Sequence, residues 1–263
     1  HVHAGAEELG RVYAADLPIN AGMPELAAAL AQLQAPARVA WADQAAAARE
    51  DYLGWNTPVK APGQLQLAEV VRHLRERLPA DTIVANGAGN FSAWMHRFHR
   101  YRHFKSQLGA TSGAMGYGVP AAVAAKSVHP QRVVLAWTGD GDFLMTGQEL
   151  ATAVQHGLNI VVMVVNNGMY GTIRMHQERH YPGRVHGTTL KNPDFAAYAR
   201  AFGAFGELVE TTEQFPAALD RALGAGVPAL LELRIAAEAI TASTTLTAIR
   251  ERALEQRGEK KAP

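Results

Sequence analysis

The chain has 263 residues, 48% of them apolar, which marks a globular protein with enough material for a substantial buried core. Its 25 Lys and Arg nearly balance 24 Asp and Glu, so a net charge of +1 provides no global field to draw in nucleic acid or an acidic membrane. The absence of cysteine excludes disulfides, thiolate metal sites and cysteine nucleophiles, and apolar runs such as IVVMVV at 160–165 are far too short to cross a bilayer. No charged-then-apolar leader opens the chain, so a soluble, cytoplasmic protein without nucleic-acid or membrane partners is expected.

The first residues, HVHAGAEELG, lack an initiator methionine and begin as if in mid-strand, which suggests a piece of something longer. From Pro24 to about Tyr52 the sequence is alanine-rich with helical spacing, broken at Pro36, and GWNTPVKAPGQ at 54–64 then carries the proline and glycine of a linker. A domain boundary near residue 60 follows. Beyond it the spacing predicts a helix over 64–78, a strand over 82–86, a helix over 115–128, a strand over 132–138, a helix over 147–156 and a strand over 159–166. A helix over 194–202, the strand FGELV, a helix over 213–223 and the strand ALLELRI complete the series. This alternation implies a doubly wound α/β fold over 61–240, with a mostly parallel sheet and helices on both faces, followed by a helical tail over 241–263. Strands 132–138 and 159–166 are apolar without alternation, as central strands covered on both sides should be.

In such sheets ligands bind beyond the carboxyl ends of the strands, and that end carries NGAGNF, TGDGDF and VNNGMYG. Glycine turns there usually cradle a phosphate, so the acids Asp140 and Asp142 pose a conflict. A divalent cation removes it, because Mg²⁺ takes hard oxygen ligands and is commonly held by one or two carboxylates together with substrate phosphates. One right-handed crossover would bring Asp140 and Asn167 to the same sheet end, where an Asp carboxylate, an Asn amide oxygen, a backbone carbonyl and two diphosphate oxygens can share a metal.

GDG followed some two dozen residues later by NN resembles the motif of thiamine diphosphate-dependent enzymes. GAMGYGVPAA at 113–122, GDGDFLMTGQELATA at 139–153 and NNGMYG at 166–171 are similar to the C-terminal, diphosphate-binding domain of the acetolactate synthase-like branch, and residues 1–35 resemble the tail of its middle domain. The resemblance implies thiamine diphosphate and Mg²⁺ as cofactors, with Asp140, Asn167 and the main-chain carbonyl of Met169 on the metal. It also implies that Gly139, Gly141 and Asp142, with the amides of Tyr170 and Gly171, face the diphosphate, alongside a loop of Gly89, Asn90 and Phe91. The carbonyl of Gly113 would accept from the aminopyrimidine, and Met115 would lie under the bend of the cofactor. The activity implied is decarboxylation of a 2-oxo acid such as pyruvate with transfer of the acyl unit, by a homo-oligomer, dimer or tetramer. The alternatives are simple decarboxylation, or a cofactor-binding and oligomerisation module. The family's activating glutamate belongs to an N-terminal pyrimidine-binding domain that nothing in this sequence matches, so no catalytic residue is assigned and this chain alone is expected to be inactive.

Blander readings compete at each position. GDG and NNG are common turns, Met115 could be a core residue, and GAGNF lacks the third glycine of a dinucleotide fingerprint. The segment HRFHRYRHFK at 96–105 interleaves bases with aromatics as single-strand binders do, but reads better as a solvated face or subunit contact. The joint occurrence of the turns at matching strand ends favours the thiamine reading.

Overall fold

The structure is a computed structural model and describes residues 1–258. Two compact units are present, His1–Leu53 and a larger one beginning at Gly54. In the first, β1 (Val2–His3) pairs in parallel with β2 (Ile19–Asn20), and the Asn20 amide donates to the carbonyls of His3 and Ala4. Helix α1 (Met23–Ala31) begins with Pro24, where a missing N–H costs nothing, and α2 (Ala42–Trp55) ends at the unit boundary.

The second unit is a six-stranded, all-parallel sheet. In chain order it comprises α3 (Leu67–Arg77), β3 (Ile83–Asn86), α4 (Ser92–Phe98), β4 (Gln107–Gly109), α5 (Gly118–Val128), β5 (Val134–Gly139), α6 (Asp140–Thr146) and α7 (Leu150–Gln155). It continues with β6 (Val161–Asn166), α8 (Gly171–His180), α9 (Phe195–Ala201), β7 (Phe205–Val209), α10 (Phe215–Gly224), β8 (Ala229–Arg234) and α11 (Leu246–Gln256). The strand order β4-β3-β5-β6-β8-β7 places β5 and β6 side by side at the centre.

Every residue of β5 and β6 is buried. Their side chains divide by alternation: Leu135, Trp137, Val161, Met163 and Val165 pack against α3, α4 and α10, whereas Val134, Ala136, Val162 and Val164 pack against α5, α7 and α9. Covering both faces in this way requires apolar residues at consecutive positions. The doubly wound parallel sheet expected from the sequence is thus the architecture observed.

Several boundaries differ, for local reasons. The helix expected over 115–128 begins at Gly118, because Gly113 and Gly116 adopt φ of 68° and 86°, values that no right-handed helix contains. At Gly116 an added Cβ would also lie 2.9 Å from that of Met145. The helix expected over 147–156 is a 3-10 turn over Gly147–Glu149 followed by α7, and a separate helix, α6, starts before it directly at Asp140. Gly147 marks the break, where the Phe143 ring lies 2.6 Å from the position a Cβ would occupy. Helices α4, α6 and α8 and the short edge strand β4 have no counterpart in the sequence reading.

Phe143 is 1% exposed and meets Phe195 and Tyr198 edge-on, with centroids 5.4 and 5.7 Å away. Phe143→Ala should therefore lower the unfolding free energy by about 3–5 kcal/mol in a urea titration. A loss of less than about 1 kcal/mol would show that this face of the sheet is not packed as described.

Candidate active site at the carboxyl edge of the sheet

Strand β5 ends at Gly139, so Asp140 and Asp142 fall in the first turn of α6, where they are 3% and 2% exposed. Burial pushes both carboxyls above the usual range, and hydrogen bonds only partly offset it. Asp140 Oδ1 accepts from the Gly141 amide at 3.0 Å, and Oδ2 accepts from the Gly168 amide at 2.9 Å and from Asn192 Nδ2 at 2.8 Å. Asp142 Oδ1 accepts from the amides of Gly116 at 2.7 Å and Ala88 at 3.4 Å, while its buried Oδ2 has no partner. Asp142 thereby pins two loops beside the turn.

Gly139 of β5 is in register with Val165 of β6, which places the turn after Asn166 next to the turn at Asp140. Asn166 is buried. Its amide donates to Glu232 Oε1 at 2.9 Å and its Oδ1 accepts from Gly168 and Asn192 at 3.0 and 2.9 Å. Asn167 is partly exposed, and its Oδ1 accepts from the Met169 amide at 3.2 Å. Residues 187–192 form a strap over this turn: the Tyr170 amide donates to Thr188, the Leu190 amide donates to Gly168, and Met169 bridges to Thr189.

The loop after β3 closes a third side. Its Gly87 must be glycine, because a Cβ there would sit 1.9 Å from Asp142 Oδ2. Asn90 docks onto α8, with its amide donating to Thr172 Oγ1 at 2.9 Å and its Nδ2 reaching Met175 Sδ at 3.3 Å. The Phe91 ring covers Gly139, and the Phe91 carbonyl accepts from the Trp137 indole at 3.0 Å. A Cβ on Gly141 would lie 2.5 Å from the Tyr170 ring. The turns can approach this closely only because glycine holds these positions.

These loops enclose an open cleft with about 570 Å³ of empty space, its solvent-facing part included. Gly89, Asn90, Phe91, Met115, Gly139, Asp140, Gly141, Asp142, Asn167, Met169, Tyr170 and Gly171 all line it. Gly113 does not; it lies beyond the lining, with the left-handed φ already described. Met115 is 37% exposed and so belongs to the cleft rather than to a core. The sequence reading missed Thr172, Asn192 and the apolar wall of Ile173, Ile235 and Ile240.

Helix α11 supports that wall. Ile240, Leu246 and Ile249 pack with Met169 and Met175, and Arg250 donates twice to Glu178 of α8, at 2.7 and 2.6 Å. Glu178 also accepts from Arg174 at 3.0 Å and from the Gly183 amide at 2.8 Å. In HRFHRYRHFK two of the bases, Arg97 and Arg102, bond within the chain itself. The Arg97 guanidinium lies 3.7 Å over the Trp55 ring and donates to the Trp55 and Ala242 carbonyls, and Arg102 donates to Arg75 and Leu78. His99 is driven down to about 4 by burial and by the charges of Arg102 and Arg75.

A parallel sheet whose GDG and NN turns share one cleft defines the class of thiamine diphosphate-binding α/β domains. The sequence model for the C-terminal TPP binding domain of thiamine pyrophosphate enzymes matches residues 87–233, and the chain belongs to this family. It is 33% identical to the acetolactate synthase isozyme 2 large subunit of Escherichia coli K12 over 222 residues, covering 82% of this chain and 38% of that one. It is 30% identical to the acetolactate synthase large subunit of Lactococcus lactis over 217 residues, covering 77% of this chain and 36% of the other. The solved thiamine diphosphate-dependent 4-hydroxybenzoylformate decarboxylase of Rhodococcus jostii RHA1 superposes with a TM-score of 0.65 at 30% identity, over 69% of this chain and 34% of its own. This chain therefore spans less than two thirds of the length of each of these relatives.

The Glu178 clasp carries a pH signature. Burial alone would raise this carboxyl, but the bonds from Arg250, Gly183 and Arg174 outweigh it and hold the group at about 2. A carboxyl lowered by folding adds stability that is complete above its unfolded range and is lost as pH falls toward the folded value. Arg250→Ala should cost about 1–3 kcal/mol at neutral pH, the penalty for depriving a buried acceptor of its donors. That difference from the wild type should shrink in urea titrations as the pH is lowered toward 3. A difference that does not change with pH would remove the electrostatic account.

Proposed function

We propose that the cleft holds thiamine diphosphate through Mg²⁺ and forms the cofactor-binding half of an enzyme that decarboxylates a 2-oxo acid such as pyruvate and transfers the acyl unit. The observation that carries the reading is the meeting of Asp140 and Asn167, from the ends of adjacent strands, in one cleft whose glycine turns leave no room for a Cβ.

The residues fit the metal. Asp140 is a buried carboxylate whose donors, Gly141, Gly168 and Asn192, are all neutral, so its charge lacks a cationic partner. Asn167 and the Met169 carbonyl add hard, uncharged oxygens, the donor type that Mg²⁺ takes. The nitrogen and sulfur ligands that softer transition metals prefer play no part in this set. Asp140, Asn167 and Met169 would hold the metal, and Gly141, Tyr170, Gly171 and the 89–91 loop would meet the diphosphate. Bound thiamine diphosphate supplies the carbanion-stabilising chemistry by which a 2-oxo acid loses carbon dioxide. Met115 would prop the bend of the cofactor, and the wall of Ile173, Ile235 and Ile240 would keep water from the reacting end.

The names of the acetolactate synthase relatives support acyl transfer, and that of the Rhodococcus enzyme supports simple decarboxylation. Product analysis with pyruvate alone separates the two. The activating glutamate is assigned to a facing pyrimidine-binding domain in a cytoplasmic homo-oligomer, dimer or tetramer, so this chain alone should not turn over substrate.

The binding half of the reading is tested by calorimetry with thiamine diphosphate and Mg²⁺. Loss of one partner of a buried charge costs about 3–5 kcal/mol, so Asp140→Ala should weaken binding at least about a hundredfold. Asp140→Asn, which keeps the shape, should do the same. Unchanged affinity in both variants, or with chelator present, would overturn the metal bridge.

A further inference from the structure

Asn192 lies outside every motif that marks the site, in the strap that crosses the turn after β6. It nevertheless makes the shortest hydrogen bond to Asp140: Nδ2 donates to Asp140 Oδ2 at 2.8 Å and, at 2.9 Å, to Asn166 Oδ1. Asn166 in turn donates to Glu232 Oε1, a buried acid on β8 that also accepts from the Phe195 amide at 3.2 Å and from Arg234 at 3.1 Å. A continuous polar chain therefore runs from the surface cation Arg234 through Glu232, Asn166 and Asn192 to Asp140. Along it each side chain is held by the next, which leaves the Asp140 carboxylate little freedom to rotate.

The other end of Asn192 is unusual. Its Oδ1 is shut off from solvent and has no hydrogen-bond partner. Exchanging the two ends would turn an acceptor toward Asp140 Oδ2 and Asn166 Oδ1, both acceptors themselves, so the amide orientation is fixed by its neighbours. An unsatisfied buried acceptor costs about 1–3 kcal/mol, and the fold retains it here beside the carboxylate assigned to the metal.

We infer that Asn192 is a positioning residue for the metal site: from outside the cleft it fixes the orientation of the Asp140 carboxylate. The inference rests on the metal reading of Asp140 and extends it to a residue that neither touches the diphosphate nor lines the cleft. Partners that orient a ligating side chain typically contribute 10- to 100-fold in metal affinity.

The test uses the full chain with saturating thiamine diphosphate and Mn²⁺ as the paramagnetic probe, binding being read by water-proton relaxation and stability by thermal melting with and without the ion. Asn192→Ala should weaken Mn²⁺ about 10- to 100-fold and reduce the rise in Tm that the metal produces. Asn192→Asp sets a second carboxylate against Asp140, so it should lower the metal-free Tm yet enlarge the metal-induced rise beyond that of the wild type. A merely structural tie would shift both variants in the same direction. In the Asp140→Asn background, Asn192→Ala should add little further loss of Mn²⁺ affinity, because its effect passes through Asp140. Wild-type Mn²⁺ affinity in Asn192→Ala, or metal-induced rises that change alike in the two variants, would overturn the inference and leave the metal reading standing. If the wild-type chain shows no Mn²⁺ binding, the metal reading falls and this inference falls with it.

Discussion

Asp140 and Asp142 take their carboxylates out of water at the end of the central strand, and the surrounding backbone is organised to receive them. Each buried carboxylate demands donors, and those come from loops that are distant in sequence: Gly116 and Ala88 for Asp142, Gly168 and Asn192 for Asp140. Hydrogen bonds to an ionised acceptor contribute about 1.5–3 kcal/mol each, so the two acids are strong ties among loops that lie far apart in sequence. The strain of the arrangement is electrostatic rather than steric, since burial still leaves both acids raised. At Asp142 the debt stays within the protein as an orphaned oxygen. At Asp140 both oxygens are bonded, but only to neutral donors, so the charge itself is left uncompensated by them.

The glycines of these turns and the apolar strands beneath them are complementary. Alternation in β5 and β6 sends consecutive side chains into opposite helical layers, so the strand ends are rigid and their positions are fixed by packing on both sides. On that platform glycine permits approaches that no other residue would, as at Gly141 under Tyr170 and Gly139 under Phe91. Precision at the edge of the sheet thus derives from crowding at its centre.

The central strands were legible because their apolar runs lacked alternation, and the turns because GDG and NN combine residue type with spacing. What was not legible has physical causes. Helix α6 hides behind glycines that read as a turn, although acids at 140 and 142 suit the positive end of a helix. The sequence of α8, GTIRMHQERH, has little apolar periodicity, because beside the apolar contact at Met175 the helix is held by the Glu178–Arg250 clasp and by Asn90. α4 lay partly under a stretch whose bases and aromatics suggested a surface patch, whereas Trp94, Met95 and Phe98 of that helix are core. Asn192 carries no spacing signal at all. Its neighbour Asp194 caps α9 through the Ala197 amide, so NPD reads locally as a helix start, and only the fold brings Asn192 to Asp140.

The strand order has a consequence for how the site comes into being. β5 and β6 are adjacent in sequence as well as in space, but the outer side of β6 is covered by β8, which pairs Val161 with Ala229 and Asn166 with Arg234. Parallel pairings between segments so far apart close large loops and form slowly. Asp140 and Asn167 can therefore meet early, while Glu232, which braces Asn166, and Ile240, which walls the cleft, arrive only after β8 and the following segment have docked. During synthesis from the amino terminus Asp140 and Asn167 emerge well before Glu232 and Ile240, which hold this end of the sheet in place. Until β8 docks, the two side chains stay free to rotate, so the order of the site is a late product of the sheet's closure.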